Sequence, residues 1–434
     1  MLFHGIEKNK KNIAIYLNKN NSILYQDIIK KSDEFLKNIK ERSLIILIGE
    51  NNVETFLAYI SLMRSSNLLM ILDPNTKIED INLIIKKYLP TYIYCSKKKG
   101  KLILKNNFNV IYSHQTFDLL EAKTTQKYEI YDDLKILLST SGSLGEPRFV
   151  KLSNENLKSN TESIISYLKL NASDRTITTM PMSYSYGLSV INTHLFCGAS
   201  IVLNDSSIVD KKFWELYSDS LPSNINGVPF FYDLLIRIGF NRVLNPNLKF
   251  ITQAGGKLRQ KSFKKISEES IKNNFNFFLM YGQTEASPRI SFHKVANKDL
   301  ELDNPPIGKA IPGGEIFLKD EKNIVINEKN KDGEIYFTGK NIFGGYSSSY
   351  QDLKDFNFLK ELKTGDIGYK DSNNNFFISG RKGRFVKVYG YRLNLDFIQE
   401  KFNNKGYSVA CLGLKDILYI FSLKKISEIE KIID

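Results

Sequence analysis

The apolar positions of this chain change period along its length. Residues 1–40 alternate short apolar groups with Lys and Asn, which predicts a strand and then a helix. Ser43-Leu-Ile-Ile-Leu-Ile48 is a continuous apolar run, as expected of a strand buried on both faces of a parallel sheet. Gly49-Glu-Asn-Asn52 ends it, and Val53 to Met63 then places apolar residues at helical spacing. Leu68-Leu-Met-Ile-Leu72, closed by Asp73-Pro74, completes a βαβ unit. Tyr92–Cys95 and Asn109–Tyr112 continue that pattern, and Ile136–Leu138, Ala199–Leu203 and Phe250–Gln253 read as further strands. Ser153-Asn-Glu-Asn156 has the polar residues of a helix cap, leading into Leu157 to Leu168.

Near residue 300 the pattern shortens. Gly314–Leu318, Asn323–Ile326 and Gly333–Thr338 alternate and are bounded by turn residues, which predicts hairpins of a small β-rich subdomain over about 300–380. After Arg392 the pattern gives a helix (Leu395 to Phe402), two strands (Ser408–Leu412 and Leu418–Leu423) and a helix within Ile426–Ile433. The expected class is α/β: a large N-terminal domain (1–380) of βαβ-built sheets with its β-rich subdomain, then a small α+β C-terminal domain (381–434). A chain of 434 residues is too long for one core, which agrees with several domains.

Composition narrows the class. With 42% hydrophobic and 25% charged residues the chain is an ordinary globular one. No apolar run reaches the ~18 residues of a spanning helix, and the N-terminus lacks a signal-peptide core. Cys95, Cys197 and Cys411 stand singly in apolar surroundings, as buried thiols of a reducing, cytoplasmic compartment do. His4, His114, His194 and His293 form no ligand-spaced cluster. The net charge of +14 is spread along the chain with no basic-aromatic motif, so no specific nucleic-acid partner is expected.

Four segments carry candidate chemistry, in this order. Thr140-Ser-Gly-Ser-Leu-Gly-Glu-Pro-Arg148 supplies the hydroxyls of Thr140, Ser141 and Ser143, while Gly142 and Gly145 let backbone N–H groups approach phosphate oxygens. It is not a Walker loop, for the Gly-Lys-Ser/Thr ending is absent. Tyr281-Gly-Gln-Thr-Glu285 offers a hydroxyl beside a carboxylate, and a phenol face suited to stacking on a base. Thr364-Gly-Asp366 puts a carboxylate in a tight turn, and Gly380 to Arg392 is basic and punctuated by glycine.

Together these segments, from about residue 40 to about residue 400, resemble the adenylate-forming superfamily of acyl- and aryl-CoA synthetases, luciferases and peptide-synthetase adenylation domains. The resemblance implies a two-step reaction: a carboxylate attacks the α-phosphorus of ATP, then a thiol attacks the acyl-adenylate. It implies that the first loop, with Arg148 where relatives carry Lys, closes over the β- and γ-phosphates. Tyr281 would stack on adenine, Thr284 would contact the α-phosphate, and Glu285 would hold Mg²⁺ through oxygen. Ala254-Gly255-Gly256 would border the base and the acid. Asp366 would accept the ribose hydroxyls, Arg381 would contact ribose or phosphate, and Lys387 would serve thiol transfer. Pro181 to Leu188, with Tyr184 and Gly187, would line the acid pocket. Tyr184 stands where amino-acid-activating members carry Asp, which points away from an α-amino acid; a plain core position for Tyr184 stays open.

The resemblance breaks at two places. The hinge residue is Gly383, where Asp or Lys is usual, and the family's closing Gly-Lys segment is not found before Asp434. A partner protein supplying that lysine, activity without it, or a nonenzymatic protein that keeps a nucleotide pocket all remain open. The expected partners are a small carboxylic acid and a thiol acceptor, either CoA or the phosphopantetheine arm of an acyl carrier protein.

Overall fold

The computed structural model describes residues 2–3, 5–103, 107–139, 148–302, 304–388, 391–404, 407–414 and 417–422. They group into two compact units: Met1–Asn304 with Ala310–Glu315 and Thr338–Leu362, and Pro305–Lys309 with Ile316–Phe337 and Lys363–Asp434.

The strands of the first unit are β1 (Ile13–Asn18), β2 (Asn21–Leu24), β3 (Leu44–Ile48), β4 (Leu68–Leu72), β5 (Tyr92–Ser96), β6 (Phe108–His114), β7 (Phe117–Ala122), β8 (Leu134–Ser139), β9 (Phe149–Ser153), β10 (Arg175–Ile177), β11 (Ser200–Val202), β12 (Asn224–Gly227), β13 (Phe250–Gln253), β14 (Asn276–Gly282) and β15 (Arg289–Lys294). One sheet runs β9-β8-β4-β3-β5-β7-β6. Its centre is the apolar βαβ unit: β3 pairs parallel with β4 and β5, and every residue of β3 and β4 is buried. The helix between β3 and β4 is Val53–Met63, capped by the Asn52 side chain, which accepts from Thr55 N–H. The edge departs from the expected pattern: β7 pairs antiparallel with both β5 and β6, so the Asn109–Tyr112 segment enters a hairpin and not another parallel strand. The other sheet runs β15-β14-β13-β12-β10-β11-β1-β2 and is parallel from β14 to β1. The helix Asn154–Leu168 begins with a full capping box between Ser153 and Asn156.

The second unit holds a five-stranded sheet in the order Val325–Ile326, Gly314–Lys319, Gly333–Gly339, Leu362–Lys370, Phe376–Arg381. Further on, the helix Leu395–Asn404 and the hairpin Val409–Leu414/Ile417–Ser422 enclose a small core of Val386, Leu395, Phe402, Val409 and Cys411. Arg384 ties these pieces together, pairing with Asp396 at 2.8 Å and donating to Cys411 O and Gln399 Oε1. The segment 426–433 lies outside the described residues. No described helix is long and apolar enough to cross a membrane.

A buried polar network stitches the second sheet of the first unit to the helix Ser185–Phe196. His194 Nδ1 donates to Val190 O (2.8 Å), and its Nε2 accepts from Asn224 Nδ2 (3.0 Å) on β12. Asn226, on the same strand, donates to Asn224 Oδ1 and Thr176 Oγ1 and accepts from Thr252 Oγ1. The Tyr186 hydroxyl lies 2.6 Å from Thr252 Oγ1. These groups are all buried, so each depends on the next for a partner. Burial lowers the His194 imidazole to about 4. Its folded value therefore lies below the unfolded value near 6.5, and the unfolded chain binds the extra proton. The stability that neutral His194 supports is present above pH ~6.5 and is lost as pH falls toward 4, by roughly 3 kcal/mol in all. Urea unfolding of wild type and His194→Gln across this window tests it: the advantage of wild type should shrink steadily on acidification.

Candidate active site

The turn between β14 and β15 carries Thr284 and Glu285, and the structure fixes it from several sides. Gly282 must be glycine, because a Cβ there would come within 1.8 Å of the Pro288 carbonyl oxygen. Thr284–Ala286 form a 3-10 turn. The carbonyls of Ala286 and Arg289 both accept from Asn341 Nδ2, at 2.6 and 2.8 Å, and from Asn160 Nδ2, both at 3.3 Å. Ser287 Oγ returns a bond to Asn341 O (2.8 Å), and Phe343 N–H donates to Glu285 O (2.9 Å).

The two reactive groups of the turn are then oriented individually. Thr284 Oγ1 lies 3.1 Å from Ser185 Oγ, at the start of the Ser185–Phe196 helix. Glu285 Oε1 accepts from the Tyr346 hydroxyl at 2.7 Å. Burial raises the Tyr346 phenol above its ordinary value, the Glu285 carboxylate raises it further, and the Arg148 charge draws it back. Arg148, itself exposed, is thus electrostatically coupled to the Tyr346–Glu285 pair. Thr140, Ser141, Gly142, Ser143 and Gly145 lie outside the described residues; the strands flanking them, β8 and β9, pair antiparallel from Ser139 and Phe149 onward.

Beside this turn lies a packed, largely aromatic core cluster. Ala254 is buried among Met180, Tyr186, Phe250, Phe278 and Met280, with Tyr184 packed against the cluster. Gly255 has φ +82°, and a Cβ there would come 2.4 Å from the Tyr184 hydroxyl oxygen, so the glycine lets the phenol cross its face. Gly256 packs against the Pro229 ring. Gly187 meets the Pro181 carbonyl, where a Cβ would sit at 2.4 Å; its contact is with the preceding turn. Tyr281 pairs with Ser291 on β15 and is partly exposed. Tyr167 stacks flat on Phe292, centroids 4.0 Å apart.

Sequence reasoning missed Arg289, the first residue of β15. It is 2% exposed, and its guanidinium carbon lies 5.0 Å from the centroid of the Tyr186 ring. Its Nε is buried without a hydrogen-bond partner, while the rest of the guanidinium is hydrogen-bonded to the Tyr167 phenol. The local signal was a lone Arg after Ser-Pro; only the tertiary structure shows that it is buried.

Asp366 and Arg381 belong to the second unit. They face each other across adjacent strands, with Arg381 Nε 3.2 Å from Asp366 Oδ1. Thr364-Gly-Asp366 lies within the strand Leu362–Lys370 and not in the expected turn; Gly365 takes φ +78° inside that strand, and Thr364 Oγ1 donates to Ile335 O. Asp366 is 6% exposed, so its carboxylate is held in place while Arg381 reaches into solvent. Glu334 accepts from Lys382 at 2.9 Å, just before Gly383, around which a Cβ would meet nothing. Lys387 lies in the strand Phe385–Val388; its side chain is outside the described residues.

No cluster of three or more His, Cys, Asp or Glu able to hold a metal ion occurs among the described residues. Glu285 alone still fits Mg²⁺, which is commonly held by one or two carboxylates together with substrate phosphates and water.

A family model described as AMP-binding enzyme matches residues 6–347. The chain is 25% identical to D-alanine–D-alanyl carrier protein ligase of Listeria monocytogenes serovar 1/2a, over 89% of this chain and 79% of that protein. It is 25% identical to the same-named ligase of Streptococcus agalactiae serotype V, over 85% and 73%. Among solved structures, ATP-bound MatB from Rhodopseudomonas palustris superposes with TM-score 0.77 at 19% identity, over 97% of this chain and 87% of that one. O-succinylbenzoate coenzyme A synthetase (MenE) from Bacillus subtilis, in complex with AMP, superposes with TM-score 0.77 at 16% identity, over 98% and 90%.

The Tyr346–Glu285 bond gives a direct test of how the carboxylate is held. A hydrogen bond to a charged group contributes about 1.5–3 kcal/mol, less where solvent reaches it. Tyr346→Phe should weaken Mg²⁺-dependent nucleotide binding by about tenfold and leave the urea midpoint nearly unchanged. Unaltered binding in equilibrium dialysis would show that Tyr346 does not orient Glu285.

Proposed function

Since the chain belongs to the AMP-binding enzyme family, we propose that it activates a carboxylic acid with ATP and passes the acyl group to a thiol. In the first step an oxygen of the acid attacks the α-phosphorus, the bond to the bridging oxygen breaks, and pyrophosphate leaves. In the second a thiolate sulfur attacks the acyl carbon and AMP leaves. The thiol belongs to CoA or to the phosphopantetheine arm of a carrier protein; the carrier ligases named above favour the latter, and the +14 charge suits an acidic carrier.

The observation that carries this reading is the turn at Thr284–Glu285, pinned by two asparagine amides beside an aromatic core cluster. A hydroxyl and a carboxylate fixed there need no rearrangement to meet a polyphosphate and its cation, and preorganisation of this kind is where phosphoryl-centre catalysis gains most. Thr284 takes the α-phosphate, and Glu285 is the Mg²⁺ ligand, which neutralises the phosphate charge when bound. Arg148 acts with the loop Thr140–Gly145 on the outer phosphates, Tyr281 and Gly255–Gly256 on the adenine. Asp366 accepts the ribose hydroxyls with Arg381 beside it, and Lys387 serves the thiol-transfer arrangement. Tyr184, Gly187 and Ala254 border the acid. An α-amino acid is disfavoured, because Tyr184 stands where a carboxylate would be needed to pair with its ammonium.

Carboxylate-dependent ATP–pyrophosphate exchange tests the first step without needing the acceptor. Exchange should appear with a carboxylic acid and fall about a hundredfold in Glu285→Gln. Asp366→Asn should raise the KM for ATP about tenfold with a smaller change in kcat. ATP binding with no exchange for any acid would overturn acid activation and leave a nucleotide-binding protein.

A further inference from the structure

A groove of about 850 Å³ in the first unit shares no residue with the candidate active site. Its lining comes from the β1–β2 hairpin, the first turn of the helix Val53–Met63 and the helix Lys211–Ser220. In a chain of net charge +14 this lining is acidic: it holds Glu54, Asp205, Glu215 and Asp219 against Lys31 and Lys212. Two of these carboxylates are already paired, Asp205 with Lys212 and Glu215 with Lys211, both at 2.9 Å. Asp219 accepts from the Tyr16 hydroxyl at 2.9 Å, and the Arg175 charge reaches it without forming an ion pair. Glu54 is left unanswered. It is 8% exposed, and among the described residues it has neither a hydrogen bond nor an ion pair. Neither of its carboxylate oxygens is closed to solvent. The group it acts on is the Tyr94 phenol, raised by burial and further by the Glu54 charge. The helix dipole favours a negative charge in this first turn but gives it no donor. A carboxylate so deeply set is ordinarily paired, and a cation entering the groove would pair it.

The rest of the lining indicates which cation. Leu17, Ile23, Val53, Leu203 and Leu216 put apolar groups among the carboxylates. A metal ion would gain nothing from them and needs several oxygens at once, yet no cluster of three or more His, Cys, Asp or Glu able to hold one occurs among the described residues. An ammonium on a methylene stem uses both kinds of neighbour, the charge on a carboxylate and the stem along apolar side chains. We propose that the groove binds a linear aliphatic diamine or polyamine, with one ammonium on Glu54 and a second toward Asp219. The side-chain carbonyls of Asn21 and Gln115 add neutral acceptors to the same lining. The exposed Lys31 works against such a ligand. The chain as a whole is strongly cationic and repels polyamines elsewhere, so binding is confined to this acidic lining. The proposal is independent of the acid-activating reading above.

The test is calorimetry on the full chain in an amine-free buffer, with putrescine and spermidine as ligands and butylamine and butanediol as controls. Wild type should bind one equivalent of at least one of the two polyamines. That binding should be at least about tenfold tighter than butylamine, the yield of one further charge-assisted contact, and the diol should not bind measurably. Glu54→Gln should weaken polyamine binding by about tenfold or more. Asp219→Asn should bring the polyamine down toward butylamine, and Lys31→Gln should tighten it. Glu321→Gln, which alters an exposed acid outside the groove, should change nothing. Thermal unfolding checks that each variant is folded; should Glu54→Gln not fold, the exposed-side partner Asp219→Asn decides the matter. No saturable polyamine binding by wild type would overturn the proposal. So would binding that Glu54→Gln and Asp219→Asn both leave intact, or that Glu321→Gln weakens equally.

Discussion

Leaving a polar group unpaired in the core of the first unit is costly, and the pairings that avoid this place the site. The helix Ser185–Phe196 is buried on nearly all sides and carries His194, Asn192 and Tyr186 into the core. Each is met by a side chain from elsewhere: Asn192 by the Tyr59 hydroxyl at 2.5 Å, His194 by Asn224, Tyr186 by Thr252. An unmatched group of this kind costs about 1–3 kcal/mol, so the helix has one permitted register against β10, β12 and β13. That register sets where Tyr184 and Ser185 stand beside the aromatic cluster. The Asn160 and Asn341 amides do the same for the β14–β15 turn.

The two parts of the first unit's candidate site differ in how they are held. The aromatic cluster consists of rings that are buried and packed, with little freedom to adjust. The turn's reactive groups are held by single hydrogen bonds, Ser185 to Thr284 and Tyr346 to Glu285. A turn with local freedom suits a nucleotide that must arrive, react and leave as two products.

Much of this was legible in the sequence where the signal is local. The apolar runs of β3 and β4 and the helix between them follow from period and length, and the Ser153–Asn156 cap follows from polar residues ahead of an apolar stretch. The antiparallel β6–β7 hairpin was not legible, because a short apolar strand looks the same whichever way its neighbour runs. The positions of Asp366 and Arg381 as a cross-strand pair were consistent with the motifs but not contained in them. Tyr346 and Asn341 act on a turn more than fifty residues earlier, and nothing near either residue announces that. Arg289 was passed over for the same reason: burial is a property of the whole fold, and a single Arg in sequence is ordinarily a surface residue.

A second buried cation shows what is unusual about Arg289. Lys135, in β8, is 1% exposed, and burial lowers its ammonium to about 7. All its hydrogens are nevertheless placed: it donates to the carbonyls of Leu62, Ser65 and Asn67 at 2.7, 2.6 and 3.0 Å, at the C-terminal end of the Val53–Met63 helix, where the helix dipole favours a positive charge. Arg42 is satisfied in the same manner, by four backbone carbonyls and Asp132. The fold therefore has a working way to settle a cation with backbone oxygen, and applies it where the charge is structural. At Arg289 the environment is different: its guanidinium carbon lies 5.0 Å from the Tyr186 ring centroid and it is hydrogen-bonded to the Tyr167 phenol, so aromatic side chains stand where Lys135 has carbonyls.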